Sequence, residues 1–296
     1  MKLEIIKNMI RGSFGADAFA LGYHWTYDPN LNYQTITKNG LNYISPLAKK
    51  YHSRGKGELS LYGDQNLALL ESMTLNKKFL PKEFYKIWKG IWKPDYNEWI
   101  DQATRVTLEI GRGSSSNDLS PVGRISPLFL EENLDIKKLD KNIEDYIKIT
   151  HDSIEVIEFG KFIGNLIVKL SEEKLDDLQL FNHLNSVKKK YPNIEKYIDI
   201  AMEIQDKAPE DVINIPFPTS CEIDASGPLT IYLFLKFRKN YEELFEWNAI
   251  FDGDTCSRAS ILAMLLCVQG IYPEFIKNWF QLLKRKDEIE EYINKF

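Results

Sequence analysis

Residues 251–268 read Phe251-Asp252-Gly253-Asp254-Thr255-Cys256-Ser257-Arg258-Ala259-Ser260-Ile261-Leu262-Ala263-Met264-Leu265-Leu266-Cys267-Val268. An acidic loop runs into an apolar stretch, and the spacing predicts a helix over 257–268 with Asp254 just ahead of it. A second junction of this kind is Leu61-Tyr62-Gly63-Asp64-Gln65-Asn66, leading into Leu67, Leu70 and Met73 on one face of a helix expected over 64–75 and beginning at Asp64. An Asp in such a place caps the helix, its carboxylate accepting free backbone N–H groups, worth about 0.5–2 kcal/mol. Helix starts also attract anions and aim ligands inward. Two such junctions at opposite ends of one chain are therefore candidates for a shared site.

Working outward, helical periodicity dominates. Residues 2–22 carry Ile5, Ile6, Met9 and Ile10, then small side chains at Ala16, Ala18 and Ala20, which would let another helix approach closely. Further helices are expected over 82–92, 97–111, 139–148, 152–170, 195–206, 225–238, 241–249 and 273–293. Strand-like alternation is scarce, and Gly and Pro cluster in connections such as Gly111-Arg112-Gly113 and Ile215-Pro216-Phe217-Pro218. No repeat or Pro/Gly/Ser-rich linker divides the 296 residues, so the expectation is one all-α, single-domain helical bundle over 1–296.

Composition narrows the function. Hydrophobic residues make up 44% and charged residues 27%, which excludes a disordered chain and implies a core needing neither disulfide nor metal. Net charge is −5, and the clearest basic run, Lys188-Lys189-Lys190, reads as a solvated helix face, so nucleic acid is not an expected partner. Cys221, Cys256 and Cys267 are odd in number and fit no zinc spacing; reduced thiols in a cytoplasmic protein are expected. The N-terminus shows no signal-peptide pattern, and no segment reaches the roughly 18 apolar residues of a membrane span.

Several stretches together resemble the ADP-ribosylglycohydrolases, most of all the branch that includes lens J-type crystallins. They are Ala16-Asp17-Ala18-Phe19-Ala20-Leu21 with His24-Trp25-Thr26-Tyr27-Asp28; Tyr62-Gly63-Asp64-Gln65 with Leu69-Leu70-Glu71-Ser72; Ser116-Asn117-Asp118-Leu119-Ser120 with Arg124-Ile125-Ser126-Pro127-Leu128; Thr150-His151; and Gly253-Asp254-Thr255-Cys256-Ser257-Arg258. Their order follows the family and they span most of the chain. The resemblance implies an all-α fold with a central cleft. It also implies two Mg²⁺ ions and hydrolysis of the bond joining ADP-ribose to a modified side chain or small molecule. Hard oxygen ligands suit Mg²⁺, and the metals would orient ribose hydroxyls and polarise a water.

This chain departs from the family's Thr-Asp-Asp and Asp-x-Asp-Thr/Ser ligand motifs. Tyr62 and Gly63 stand for the Thr and first Asp, and Cys256 for the second Asp of the other motif. Cys is a soft ligand and a poor partner for Mg²⁺. The expected metal set shrinks to Asp64, Asp254 and Ser257, holding at most one ion. Catalytic candidates are Asp64, Asp254 and Glu58, a carboxylate being what glycosidic cleavage asks for.

The ligand-binding candidates are His24, Tyr27, Ser116, Asp118, His151 and Arg258. His24 would stack on or hydrogen-bond to a nucleotide or sugar, or else serve as a satisfied core histidine. Arg258, four residues after Asp254, would pair with it, bind a phosphate, or make a structural ion pair. His52 and Glu58 lie in Tyr51-His52-Ser53-Arg54-Gly55-Lys56-Gly57-Glu58, which has the polarity of a lid loop, with Glu58 otherwise a solvated side chain. Gly111-Arg112-Gly113 with Ser114–Ser116 would cradle phosphates or form a loose loop. Two functions follow: a hydrolase of an ADP-ribose conjugate with a reduced metal site, or a non-catalytic ADP-ribose-binding or structural relative.

Overall fold

The computed structural model describes residues 1–213 and 218–296; Ile215, Pro216 and Phe217 of the expected connection lie outside the described residues. Among the described residues the regular structure is helical, with two isolated backbone bridges, Ser114 to His151 and Asp118 to Glu222, and no strand. The α-helices are α1 (Leu3–Ala20), α2 (Pro29–Asn39), α3 (Leu61–Asn76), α4 (Pro81–Lys89), α5 (Gln102–Ile110), α6 (Ile136–Thr150), α7 (Ile154–Glu172) and α8 (Asp177–Val187). There follow α9 (Glu195–Ile204), α10 (Pro209–Val212), α11 (Ile223–Phe237), α12 (Tyr241–Ile250), α13 (Thr255–Cys267), α14 (Glu274–Leu282) and α15 (Lys286–Ile293).

Every residue of α13 is buried, as an apolar helix without a polar face requires. Its main neighbour is α1, and the small residues of α1 make that contact close. A Cβ on Gly12 would lie 2.7 Å from Cys267 Sγ, so a larger residue there would have to push the Cys267 side chain aside. The far end of the chain thus packs against the beginning. Helix α3 is buried along most of its length, and the short 3₁₀ turn Val122–Arg124 packs against both α3 and α13, joining the two junctions. Among the described residues no helix is long and apolar enough to cross a membrane.

Some local expectations are corrected. Helix α3 begins at Leu61, and its cap is Ser60, whose Oγ accepts from the Tyr62 and Gly63 amides; Asp64 lies inside the first turn. Three helices, α2, α8 and the single-turn α10, have no counterpart in the periodicity. Helix α2 starts at Asp28-Pro29, a cap followed by proline, and α8 starts at a capping box in which Asp176 and Gln179 bond each other's backbone amides. The stretch 273–293 is two helices, broken at Leu283 to Arg285, where the Lys284 amide donates to the Gly57 carbonyl instead of continuing the helix.

Candidate functional site

The α13 junction is built as a cap. Asp254 precedes Thr255, and its Oδ1 accepts from the Ser257 amide at 3.1 Å. Its other oxygen, Oδ2, is buried without a hydrogen-bond partner, and so is Ser257 Oγ, one turn away. Burial pushes the Asp254 carboxyl up to about 7, with the negative charge of Asp118 adding to the rise. The Ser257 hydroxyl is close enough to offset part of that rise, so the two groups are mutual neighbours whose remaining hydrogen-bonding capacity is unused, a candidate point of ligand contact.

The loop before it is locked in an uncommon conformation. Trp25, Tyr27 and Asp252 have positive φ (59°, 55° and 59°), which bulky side chains rarely adopt. Asp252 holds them, its Oδ2 accepting from the Asp28 amide at 2.7 Å and from Thr26 Oγ1. The strained turn sends Trp25 inward, its indole N–H donating to Cys221 Sγ at 2.9 Å, and leaves Tyr27 51% exposed. Tyr51 lies edge-on to Trp25, Tyr27 and Trp99, with centroids 5.5–6.5 Å apart, and Trp99 is 43% exposed. Lys50 lies 4.5 Å over Tyr51 and Arg105 lies 5.4 Å over Trp99, giving an aromatic rim carrying positive charge.

His24 is buried beneath this rim. It stacks on Trp25 at 4.3 Å and meets Tyr62 edge-on at 5.6 Å; Nδ1 lies 3.3 Å from Thr255 Oγ1, while Nε2 has no partner. Burial, with the His52 and Arg258 charges, holds its pKa well below the usual histidine range, so the ring is neutral. Opposite stands Asp118. Its Oδ2 accepts from Ser116 Oγ at 2.7 Å and lies 3.0 Å from His151 Nε2, and Oδ1 accepts from the Ser120 amide at 3.0 Å. The Gly111–Ser116 segment is stitched to the end of α6, the Ser114 amide donating to the Thr150 carbonyl at 2.9 Å, so it is not a loose loop.

Arg258 is fully buried. Its guanidinium donates to Asn248 Oδ1 at 3.0 Å and to the Asn248 and Asp252 carbonyls, tying the α12–α13 loop together. Cys256 is buried with Sγ 3.6 Å from the Asp17 carbonyl oxygen, and burial pushes its thiol pKa well up. Gly63 and Tyr62 border Asp17, Asn66, Arg124 and Ser257 around a gap too tight to admit a water.

His24, Tyr27, Ser116, Asp118, His151, Asp254, Ser257 and Arg258 therefore gather around one interior cluster. Asp64 and Glu58 face elsewhere. Asp64 is bonded to Arg54 at 2.6 Å and to Tyr96 Oη at 3.0 Å, in a separate groove of about 450 Å³ that Arg285 and Glu288 also line. Glu58 accepts from the Gly55 amide and pairs with Lys284 at 3.5 Å, which hold its carboxyl below the usual range. His52 is pinned, not mobile as a lid residue would be: Nδ1 lies 2.7 Å from Glu98 Oε1 and Nε2 lies 3.2 Å from the His24 carbonyl oxygen. Glu98, Tyr51, Trp99 and Cys221 were not singled out as site residues. Tyr51 lies in the stretch read as a lid-like loop and Cys221 among the thiols, while Glu98 and Trp99 carry no local signal of a site. Among the described residues no three His, Cys, Asp or Glu side chains are placed to hold a metal ion.

With this geometry in hand, comparison with known proteins is informative. A family model described as ADP-ribosylglycohydrolase matches residues 2–296. Crystallin J1A of Tripedalia cystophora is 25% identical over 186 residues, covering 54% of this chain and 56% of that protein. Crystallin J1B of the same organism is 37% identical over 79 residues, 26% of this chain and 24% of that one. The chain thus matches about half the length of the first relative and a quarter of the second. A solved structure described as an ADP-ribosylglycohydrolase-related protein complex superposes with a TM-score of 0.67 at 17% identity, covering 99% of this chain and 96% of that chain, a likeness of fold.

Proposed function

The chain belongs to the ADP-ribosylglycohydrolase family, and from that premise we propose that it is a hydrolase acting on the glycosidic bond of an ADP-ribosylated side chain or related ADP-ribose conjugate. The observation that carries this reading is the pair of buried, unpartnered oxygens, Asp254 Oδ2 and Ser257 Oγ, at the start of α13. They lie in the same cluster as Asp118 and His151, beneath an aromatic, cationic rim. Tyr27, Tyr51 and Trp99 offer faces for a planar base, while Lys50 and Arg105 offer charge to a phosphate.

The residues present do not fit a pair of Mg²⁺ ions. Gly63 supplies no ligand, Tyr62 supplies a phenol in place of an alcohol, and Cys256 supplies a soft, protonated sulfur. Asp64 is already committed to Arg54 and Tyr96. One loosely held ion on Asp254 and Ser257 is the most this set accommodates. We assign the whole chain to one domain and place it in the cytoplasm, with its thiols reduced.

Release of ADP-ribose from N- and O-linked ADP-ribosyl peptides, followed by chromatography, tests the activity. A thermal-shift titration with ADP-ribose, in Mg²⁺ and in chelator, tests binding. Release establishes the hydrolase. A shift without release points to the second reading, a non-catalytic ADP-ribose-binding relative, which the loss of carboxylates at 63 and 256 favours. Neither shift nor release would point to a different substrate or to a structural role.

A further inference from the structure

Two carboxylates of the interior cluster are held differently: Asp254 leaves Oδ2 without a hydrogen-bond partner, whereas Asp118 does not. Asp118 has donors on both oxygens: Ser116 Oγ at 2.7 Å and His151 Nε2 at 3.0 Å on Oδ2, and the Ser120 amide at 3.0 Å on Oδ1. Behind it, Thr150 Oγ1 lies 2.9 Å from His151 Nδ1. With Nδ1 accepting from the hydroxyl, Nε2 carries the imidazole proton and donates it to Asp118. Two backbone bridges, Ser114 to His151 and Asp118 to Glu222, fix both ends of this relay. The Asp118 side chain keeps 15% of its surface exposed whereas His151, Ser120 and Asp254 are buried, so of the two carboxylates Asp118 is the one in reach of solvent. Burial works against its charge, but His151 and the donors outweigh burial and hold its carboxyl well below the ordinary range.

We propose that Asp118 is a catalytic residue: a fixed negative charge facing the anomeric carbon, stabilising the cation that develops as the glycosidic bond breaks, with His151 as its positioning residue. The inference rests on the hydrolase reading. In the reaction the bond from C1 to the aglycone breaks and its electron pair leaves with the aglycone atom. The positive charge left behind is shared between C1 and the ring oxygen. Water then adds to C1, and one of its protons ends on the aglycone, giving ADP-ribose and the free acceptor. Asp118 forms no bond in this sequence. Its contribution is electrostatic and preorganised, since its donors are in place before the charge appears.

The test is equilibrium binding of two probes to the full chain by titration calorimetry. One is ADP-ribose; the other is ADP bearing a hydroxylated pyrrolidine in place of the terminal ribose, whose protonated nitrogen puts a cation near the anomeric position at neutral pH. The expected result is that the wild-type chain prefers the pyrrolidinium about tenfold or more, the scale of a close charge pair at a partly desolvated site. In Asp118→Asn the preference should collapse to near one. His151→Gln, which can still donate to Asp118, should keep most of it, whereas His151→Ala should lose it. Equal affinity of the wild type for both probes, no binding of either, or an undiminished preference in Asp118→Asn would overturn the proposal. Should Asp118→Asn fail to fold, the wild-type ratio and the two His151 variants decide. A wild-type preference with no release from ADP-ribosyl peptides would remove the hydrolase reading and leave the charge site standing.

Discussion

Gly63 and Asp17 compete for one space: a Cβ built on Gly63 would lie 2.3 Å from Asp17 Oδ2 and 2.9 Å from Leu59 Cβ. The Asp17 carboxylate fills the volume that a side chain at position 63 would take. It accepts from the Ser60 amide at 2.9 Å and from Ser60 Oγ, and Ser60 in turn caps α3. The missing carboxylate at position 63 is thus bound up with how α1 braces the first turn of α3. Gly63→Ala should destabilise the chain by about 2 kcal/mol or more, as overpacking against a fixed group does. Asp17→Ala combined with it should cost less than the sum of the two single changes. Urea unfolding measures this; strict additivity would show that the two residues do not share the space.

Asp17 also predicts a pH dependence. Burial outweighs its bonds to Ser60 and raises its carboxyl from 3.8 to about 7. Between about pH 4 and 7 the folded chain keeps a proton that the unfolded chain has released. Stability is therefore greatest below this window and falls as pH rises through it, levelling off above. Asp254, raised to about 7, acts in the same direction. Asp17→Asn should show a smaller loss of unfolding free energy between pH 5 and pH 8 than the wild type. An equal loss in both would remove Asp17 as a source.

Arg258 is the largest buried cation at the site, and its bonds to Asn248 and the Asp252 carbonyl tie a loop whose φ at Asp252 is already unfavourable. Arg258→Ala should cost about 2–4 kcal/mol by leaving those acceptors unpaired in the interior. Arg258→Lys should recover only part, because one ammonium cannot span the same acceptors. Denaturant midpoints check both; a near-neutral Arg258→Ala would show that the loop is held by other bonds.

Magnesium should matter little to the ligand-free chain. An ion held with a dissociation constant near 1 mM adds only about 0.4 kcal/mol at 1 mM free metal, a shift of about 0.7 °C for a chain of this size. Differential scanning fluorimetry in 1 mM Mg²⁺ against chelator reads this directly. An upward shift of many degrees would require a fuller ligand set than Asp254 and Ser257.

The three thiols should be sluggish. Burial raises the pKa of each, so little thiolate forms at pH 8. Iodoacetamide should label the folded chain slowly and the urea-unfolded chain quickly at all three positions. Rapid labelling of folded Cys221 would mean that its contact with Trp25 opens readily.

Much of the fold was legible in local pattern. The apolar run after Asp254 and the small residues of α1 each have a local cause, and the structure places α13 against α1 where those small residues lie. The capping role of Asp254 was equally readable, since it depends on one side chain and the amide three residues on. What escaped was short or weakly amphipathic. Helix α2 has a mostly polar sequence, and its signal was the Asp-Pro start alone; the break at Leu283 to Arg285 depends on a bond to Gly57, more than two hundred residues away.

The candidate site divides along the same line. Sequence by itself determined which residue types were present: the two junction aspartates, the substitutions at 62, 63 and 256, and the Asp118 and His151 segments. Only tertiary structure decided which of them face one another. Asp64 and Asp254 occupy similar junctions, yet Arg54 and Tyr96 draw Asp64 into an outer groove, while Asp254 is left inside with an unpaired oxygen and Asp118 as the charge that raises its carboxyl most. The physical reason is range. Capping and periodicity act over a few residues, whereas ion pairing, burial and the sharing of space between Gly63 and Asp17 depend on groups that only folding brings within a few ångströms.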